Sequence, residues 1–232
     1  MRTQLASQPV ELLTDRALMW ERTLFVSDPH FGKDATFRAA AIPVPSATTT
    51  SDIDRLGALV ERARCERLVI LGYFFHARTS RYESTLRALE RLFERGPGAS
   101  VERLLVRGNH DRHAGDPPNA WGFSVVEDGA SLGPFMLRHA PPEQADADGS
   151  YTLCGHIHPA IVLRGGGTER LRAPALWARP DHAVLPAFGS FCGMAKISPT
   201  PGDRAFAFGP DGVADVTRVC VPRSRSVELA GE

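Results

Sequence analysis

Five short polar clusters occur along the sequence, each directly after an apolar run, and most of their side chains are of types that bind metal ions. The clusters are Asp28-Pro29-His30, Gly72-Tyr73, Gly108-Asn109-His110-Asp111, His139 and Gly155-His156-Ile157-His158. Carboxylate, amide and imidazole groups together suit divalent metals such as manganese, iron or zinc. The chemistry that this combination predicts is metal-dependent hydrolysis.

The spacing inside two of the clusters favours shared ligation. Proline breaks the strand alternation between Asp28 and His30, so their side chains need not point to opposite faces. His156 and His158 lie two residues apart, so they can chelate one ion from an extended segment or reach two adjacent ions. Taken alone, each pair has an ordinary alternative as a turn or a surface histidine. Their occurrence together, in order, favours the metal site.

The cluster around Asn109 adds groups that could act on a substrate. Asn109 can offer a neutral oxygen to a metal. His110 could protonate a leaving oxygen or stabilise charge on a phosphoryl group, with Asp111 orienting it. A capped turn would explain Asn109 and Asp111 equally well, although it leaves His110 unused. His139 alone could be a partly buried structural histidine.

The elements that must position these clusters alternate in type through the first half of the chain. Apolar runs predict strands at Thr23 to Val26, Leu68 to Leu71 and Val101 to Val106. Helical spacing predicts helices at Asp52 to Ala63 and Glu83 to Glu94. Strands separated by helices indicate a largely parallel sheet, and open α/β sheets bind ligands at the carboxyl ends of their strands.

The second half consists of shorter apolar runs separated by turn residues, including Phe135 to Arg138, Tyr151 to Cys154 and Ile161 to Arg164. This half is predicted to be antiparallel. Two sheets packed face to face with helices outside make an α/β sandwich. We expect a single domain over residues 1–222 and a disordered tail over 223–232.

Composition limits the cellular setting. The chain has 232 residues, of which 43% are apolar, enough for one substantial core. No apolar run is long enough for a membrane span and no signal segment is evident, so a soluble, cytoplasmic protein without membrane partners is expected. The four cysteines are widely spaced, which favours free thiols over disulfides: Cys65, Cys154, Cys192 and Cys220.

The net charge is zero, with 27 basic and 27 acidic residues, so binding of a polyanion would need a local basic patch. Arg78, Arg107 and Arg112 flank the polar clusters and could contact substrate phosphates. Surface salt bridges are the alternative for each of them.

The order of the clusters resembles the calcineurin-like binuclear metallophosphoesterases, and more narrowly their bacterial DNA ligase-associated branch. The similarity spans about Leu12 to Gly193. Its motifs are Ala39 to Pro45 (AAAIPVP), Phe75 to Arg78 (FHAR), Val106 to Pro117 (VRGNHDRHAGDP), Gly155 to Pro159 (GHIHP) and Leu185 to Phe191 (LPAFGSF).

The resemblance implies a four-layer α/β sandwich of two mixed sheets flanked by helices, with two divalent metals that activate water for attack on phosphorus. The first metal would be held by Asp28, His30 and His158. The second would be held by Asn109, His139 and His156, with His110 on the scissile phosphate. Manganese is the expected metal, with iron or zinc as alternatives. The implied activity is cleavage of DNA, especially single-stranded DNA, in repair beside an ATP-dependent DNA ligase, a helicase and an exonuclease.

Tyr73 departs from the family pattern, which places a metal-bridging aspartate after Gly72. Two interpretations stay open. Either the chain keeps one metal or a weakened pair and its catalysis is impaired, or a Tyr73 phenolate bridges a rearranged site. The first is favoured because losing a shared anion leaves the charges of the two metals closer to unscreened.

Two other functions remain compatible with these residues. A phosphatase or small-molecule phosphodiesterase would use the same metals in a closed pocket instead of an arginine-rimmed groove. A catalytically silent module that binds DNA or a partner protein would account for the substitution at Tyr73.

Overall fold

The computed structural model describes residues 1–44, 48–109, 111–146, 149–166 and 168–221. Two β-sheets face each other, and most of the helices lie against the outer face of the first sheet. The mixed α/β fold with two mixed sheets and flanking helices confirms the predicted fold class.

The first sheet has seven strands in sequence order, and its second half is parallel. The strands are β1 (Arg2–Leu5), β2 (Gln8–Leu13), β3 (Ala17–Trp20), β4 (Thr23–Ser27), β5 (Arg67–Leu71), β6 (Glu102–Val106) and β7 (Phe123–Val126). In register, Val26 pairs with Ile70 and Ile70 with Leu105. The carboxyl ends of β4, β5 and β6 therefore lie side by side at one edge.

The helices of the first half cover the outer face of this sheet. They are α1 (Lys33–Ala39), α2 (Thr48–Ala63), α3 (Glu83–Glu90) and the short α4 (Asp111–Ala114). The prediction placed the start of α2 at Asp52, but it begins at Thr48, where the Thr49 backbone N–H and hydroxyl donate to Asp34. The predicted helix to Glu94 ends instead at Glu90 and continues as a π-helical turn, Arg91–Arg95, before Gly96.

The second sheet is mixed, so the prediction of an antiparallel second half was wrong. It contains β8 (Ala130–Leu132), β9 (Phe135–Leu137), β10 (Tyr151–Cys154), β11 (Pro159–Arg164), β12 (Arg170–Ala178), β13 (His182–Val184), β14 (Ala195–Lys196), β15 (Arg204–Phe208) and β16 (Val213–Asp215). Strand β10 runs parallel to both β9 and β13. The β11–β12 hairpin lies between β10 and β13 in the sequence. This long connection allows β10 and β13 to pair in parallel.

Two apolar cores explain the continuous apolar character of β4 and β5. Leu24, Val26 and Ile70 pack under the helices, whereas Phe25 and Val69 pack between the two sheets. Both faces of these strands are buried, which is why the runs lack polar alternation. A short helix, α5 (Thr217–Cys220), packs near β15 and β11 of the second sheet.

The cysteines are free thiols, with Cys65 and Cys154 buried and Cys192 and Cys220 partly exposed. Within the described ranges, no helix combines the length and apolar character needed to cross a membrane. The predicted domain boundary at residue 222 and the predicted tail 223–232 lie outside the described residues.

Candidate metal centre

The polar clusters meet at the edge where the strands of the two sheets end. Asp28 follows β4, Tyr73 follows β5 after one glycine, and Asn109 lies beyond β6. His139 follows β9 and the His156 cluster follows β10. The sheets therefore bring groups separated by more than a hundred residues into one site.

Five residues of this site have a left-handed backbone, which non-glycine residues rarely adopt. They are Asp28 (φ 50), His30 (φ 49), Tyr73 (φ 48), His156 (φ 74) and His158 (φ 50). Each such conformation costs about 1–2 kcal/mol and is typical of functional sites. The left-handed turns at Asp28 and His30 allow these two side chains to converge, as the proline argument anticipated, whereas His156 and His158 lie in different ligand sets.

The first predicted ligand set is brought together. Ligand atoms of Asp28, His30 and His158 lie within 4.8 Å of one another. The Nε2 atoms of the two histidines are 3.3 Å apart, and His158 Nε2 is 3.8 Å from Asp28 Oδ1. Asp28 Oδ1 is buried and has no hydrogen-bond partner among the described residues, while Oδ2 accepts the His156 N–H at 2.8 Å. A buried carboxylate oxygen facing imidazoles fits a divalent cation.

The surroundings of His158 and His30 favour the protonation states in which imidazole binds a metal. His158 Nδ1 lies 2.9 Å from the Gly193 carbonyl, which favours a proton on Nδ1 and leaves the Nε2 lone pair free. Burial and, as a smaller contribution, the neighbouring His158 lower the pKa of His30 to about 2. His30 is therefore neutral, the form in which imidazole binds metals.

Two of the three residues of the second predicted set, His139 and His156, are also adjacent. His139 Nε2 and His156 Nδ1 are 2.9 Å apart, and burial lowers the pKa of His139. His139 packs directly on Gly72, where a Cβ would lie 1.9 Å from its Nδ1. A side chain at Gly155 would similarly meet Asp28 Oδ2 at 2.3 Å. Both glycines are thus required by close packing of the ligands.

Tyr73 lies between the two ligand sets. Its ring stacks on His30 with centroids 4.5 Å apart and meets His139 edge-on at 4.4 Å. Its hydroxyl hydrogen-bonds the Asn109 side chain and lies 3.4 Å from His156 Nδ1. Burial, followed by the charge of Asp28, raises the pKa of Tyr73 to about 12. A neutral ring therefore occupies the space between the two sets.

Asp111 holds the loop that carries Tyr73. Its side chain is 1% exposed and accepts the backbone N–H groups of Tyr73 at 2.7 Å, Phe74 at 2.9 Å and Gly108 at 2.7 Å. Burial raises the pKa of Asp111 to about 6, against the effect of these three donors. The described contacts of Asp111 make it an anchor of two loops. His110, the residue it was predicted to orient, lies outside the described residues.

Replacing Asp111 with alanine is expected to destabilise the protein by about 3 kcal/mol, because three backbone donors lose their acceptor. Urea unfolding followed by circular dichroism measures this change. Asp116→Ala is the matched control, since Asp116 is partly exposed and pairs with Arg107, and its loss should cost at most about 1 kcal/mol. Equal midpoints for the two variants would contradict the anchoring role.

The predicted phosphate-binding arginines differ in their surroundings. Arg107 pairs with Asp116 and, at 2.5 Å, with Glu127, and Arg112 pairs with Glu127 at 2.9 Å. Their charges are thus already balanced by carboxylates. Arg78 is exposed at the start of a 3₁₀ turn, Arg78–Ser80.

Sequence reasoning did not assign a role to the groups that support the ligands. His76 Nδ1 lies 3.4 Å from His30 Nδ1, and Asp128 accepts the His139 N–H at 2.6 Å. The loop before Gly193 is held by Arg16, which donates to the Ala187 and Gly189 carbonyls. The LPAFGSF motif pointed to this loop, but no local pattern pointed to Arg16.

Comparisons with known proteins identify the relatives of this chain. The family model described as calcineurin-like phosphoesterase matches residues 21–213. The crystal structure of Pseudomonas putida nuclease MPE is similar at 37% identity and a TM-score of 0.79, covering 93% of this chain and 98% of that one. Yfce, a phosphoesterase from E. coli, gives 16% identity and a TM-score of 0.42, covering 84% of this chain and 98% of that one. A search of curated protein sequences gives no match. The chain belongs to the calcineurin-like phosphoesterase family.

Proposed function

We propose that this chain is a metal-dependent phosphodiesterase of the nuclease type, acting on DNA with a preference for single strands, and that Tyr73 impairs it. The observation that carries the proposal is the cluster of Asp28, His30 and His158, in which a buried carboxylate oxygen has no partner among the described residues. The similarity to a nuclease at 37% identity supports DNA as the substrate class.

The residues assigned to metals divide into the two sets described above. Asp28, His30 and His158 would hold the first ion. Asn109, His139 and His156 would hold the second when residue 73 leaves space for it. Bound divalent ions stabilise charge on a phosphoryl oxygen and lower the pKa of an attacking water. Manganese is the proposed metal, and the mixed nitrogen and oxygen donors also suit iron or zinc.

The remaining groups orient ligands or handle protons. The Gly193 carbonyl fixes the His158 tautomer, and the His156 N–H fixes the Asp28 carboxylate. His110, through its position in the Gly-Asn-His-Asp motif, is proposed to contact the scissile phosphate and to protonate the leaving oxygen. Asp111 is proposed to serve catalysis by anchoring this loop and that of Tyr73.

Tyr73 is proposed to limit this chain to one tightly bound metal. Its ring contacts imidazoles of both sets, and its phenol is neutral at physiological pH. The same observation favours a second candidate function, in which the chain binds DNA without cleaving it.

The proposal extends to cellular context through the family resemblance alone. On that basis the chain would act in the cytoplasm in DNA repair, in functional association with an ATP-dependent DNA ligase, a helicase and an exonuclease.

The substrate class can be tested with the Tyr73→Asp variant and manganese. Labelled single-stranded DNA, duplex DNA, bis(p-nitrophenyl) phosphate and p-nitrophenyl phosphate would be compared, with the Tyr73→Asp, Asp28→Asn double variant as the metal-site control. We expect cleavage of single-stranded DNA and of the diester, and loss of both in the control. Hydrolysis of only the monoester would replace the nuclease assignment with a phosphatase.

A further inference from the structure

A cleft of about 600 Å³ lies between the Thr14–Arg16 turn and the β11–β12 hairpin. Arg16, Arg172 and Leu171 are among its lining residues. Arg16 also lines a smaller cavity of about 40 Å³, which His158 lines as well. The cleft and the proposed metal ligands are thus connected through Arg16.

Two of the three arginines that line this cleft have no carboxylate partner among the described residues, whereas the third, Arg55, pairs with Asp52. Asp15, on its wall, pairs with Arg62 at 2.5 Å. Arg16 and Arg172 donate only to backbone carbonyls and, within the described ranges, form no ion pair with a carboxylate. This contrasts with Arg107 and Arg112 on the other predicted rim, whose charges are paired with Asp116 and Glu127.

The β11–β12 hairpin places positively charged side chains directly opposite each other. Arg164 and Arg170 are cross-strand partners, and Arg172 follows two residues later. Like charges directly opposite each other in a sheet are destabilising. Between these arginines of β12 lies Leu171, a large apolar side chain that is 63% exposed. A chain with no net charge therefore carries three arginines and an exposed leucine on one hairpin, the first strand of which begins directly after His158.

We propose that this cleft binds the DNA single strand on one side of the scissile phosphate, with Arg16 and Arg172 contacting backbone phosphates and Leu171 contacting a base. This inference rests on the proposed function, since it takes DNA as the substrate. Guanidinium groups without carboxylate partners suit phosphate. An exposed apolar side chain reaches a base face in a duplex only at the cost of unstacking a base step, whereas an unpaired base is accessible without this cost, which favours a single strand over a duplex.

The test is binding of fluorescein-labelled (dT)12 by the chain carrying Tyr73, measured by anisotropy over a range of salt concentrations. Arg172→Gln is expected to weaken binding on the order of fivefold and to reduce the salt slope by about 0.7, the value for one phosphate contact on a single strand. Leu171→Ser is expected to weaken binding about threefold with an unchanged slope. Arg16 is not altered, because it also holds the Ala187 loop.

Two exposed residues elsewhere serve as controls for charge and apolar surface. Arg91→Gln and Val219→Ser should leave affinity and salt slope unchanged. Equal effects of Arg91→Gln and Arg172→Gln, or no binding of (dT)12 by the parent chain at low salt, would overturn the cleft assignment.

A second measurement separates this inference from the proposed function. In the Tyr73→Asp background, Arg172→Gln should raise KM for (dT)12 about fivefold and leave turnover of bis(p-nitrophenyl) phosphate unchanged. If DNA is cleaved and Arg172→Gln leaves KM unchanged, the nuclease function stands and the cleft assignment fails. If the Tyr73→Asp variant cleaves no DNA while Arg172→Gln still weakens binding of (dT)12, the nuclease function fails and the cleft assignment stands.

Discussion

Tyr73→Asp is expected to raise the bound manganese from one ion per chain to two and to increase phosphodiester cleavage by roughly 10²- to 10³-fold, the equivalent of about 3–4 kcal/mol. The tyrosine ring lies 4.5 Å from the His30 ring and 4.4 Å from the His139 ring, so it occupies the space between the two ligand sets. Aspartate would remove this ring and supply an anion that both cations can share. Metal content by mass spectrometry and turnover of bis(p-nitrophenyl) phosphate measure the two effects.

Tyr73→Phe distinguishes the two interpretations of this residue. Phenylalanine keeps the ring but loses the hydroxyl, which contacts Asn109 and His156. If the ring limits the site, the phenylalanine variant should bind one metal and be as inactive as the parent chain. A lower metal content or activity in Tyr73→Phe than in the parent chain would identify the phenolate as a ligand.

Asp28→Asn is expected to weaken manganese binding by at least about 10²-fold while making the metal-free protein more stable by about 1 kcal/mol, or roughly 3 °C. The carboxylate is 0% exposed, and its Oδ1 lacks a partner among the described residues. Asparagine keeps an oxygen for the His156 N–H and removes the buried charge. Substitution of a metal ligand is expected to weaken metal binding and, at the same time, to stabilise the metal-free protein.

Thermal unfolding in EDTA and in manganese measures both parts of this prediction. The parent chain should gain about 2.7 kcal/mol at a hundredfold excess of metal over its dissociation constant, and Asp28→Asn should gain nothing. Asp34→Asn is the control, because Asp34 is also buried but is hydrogen-bonded to Thr49 and Arg38. It should lose stability in EDTA and still respond to manganese. A manganese response in Asp28→Asn equal to that of the parent would remove Asp28 from the metal site.

The strands of the parallel half were predictable because their residues are buried on both faces and form continuous apolar runs. The antiparallel strands β1 to β3 were not predicted, although Val10 and Leu12 in β2 alternate with more exposed residues. Pro9 within that strand weakens the local signal. The parallel pairing of β10 with β9 and β13 depends on contacts between distant segments, which no local periodicity records.

The sequence by itself determined the types and order of the candidate ligands, because carboxylate, amide and imidazole groups after strands are a local pattern. Tertiary structure decided which groups meet and in what environment. The Tyr73 ring lies between two ligand sets, Asp111 anchors two loops, and Arg107 is balanced by carboxylates while Arg172 is not. These properties arise from burial and from pairing between residues far apart in the chain, and both exist only after folding.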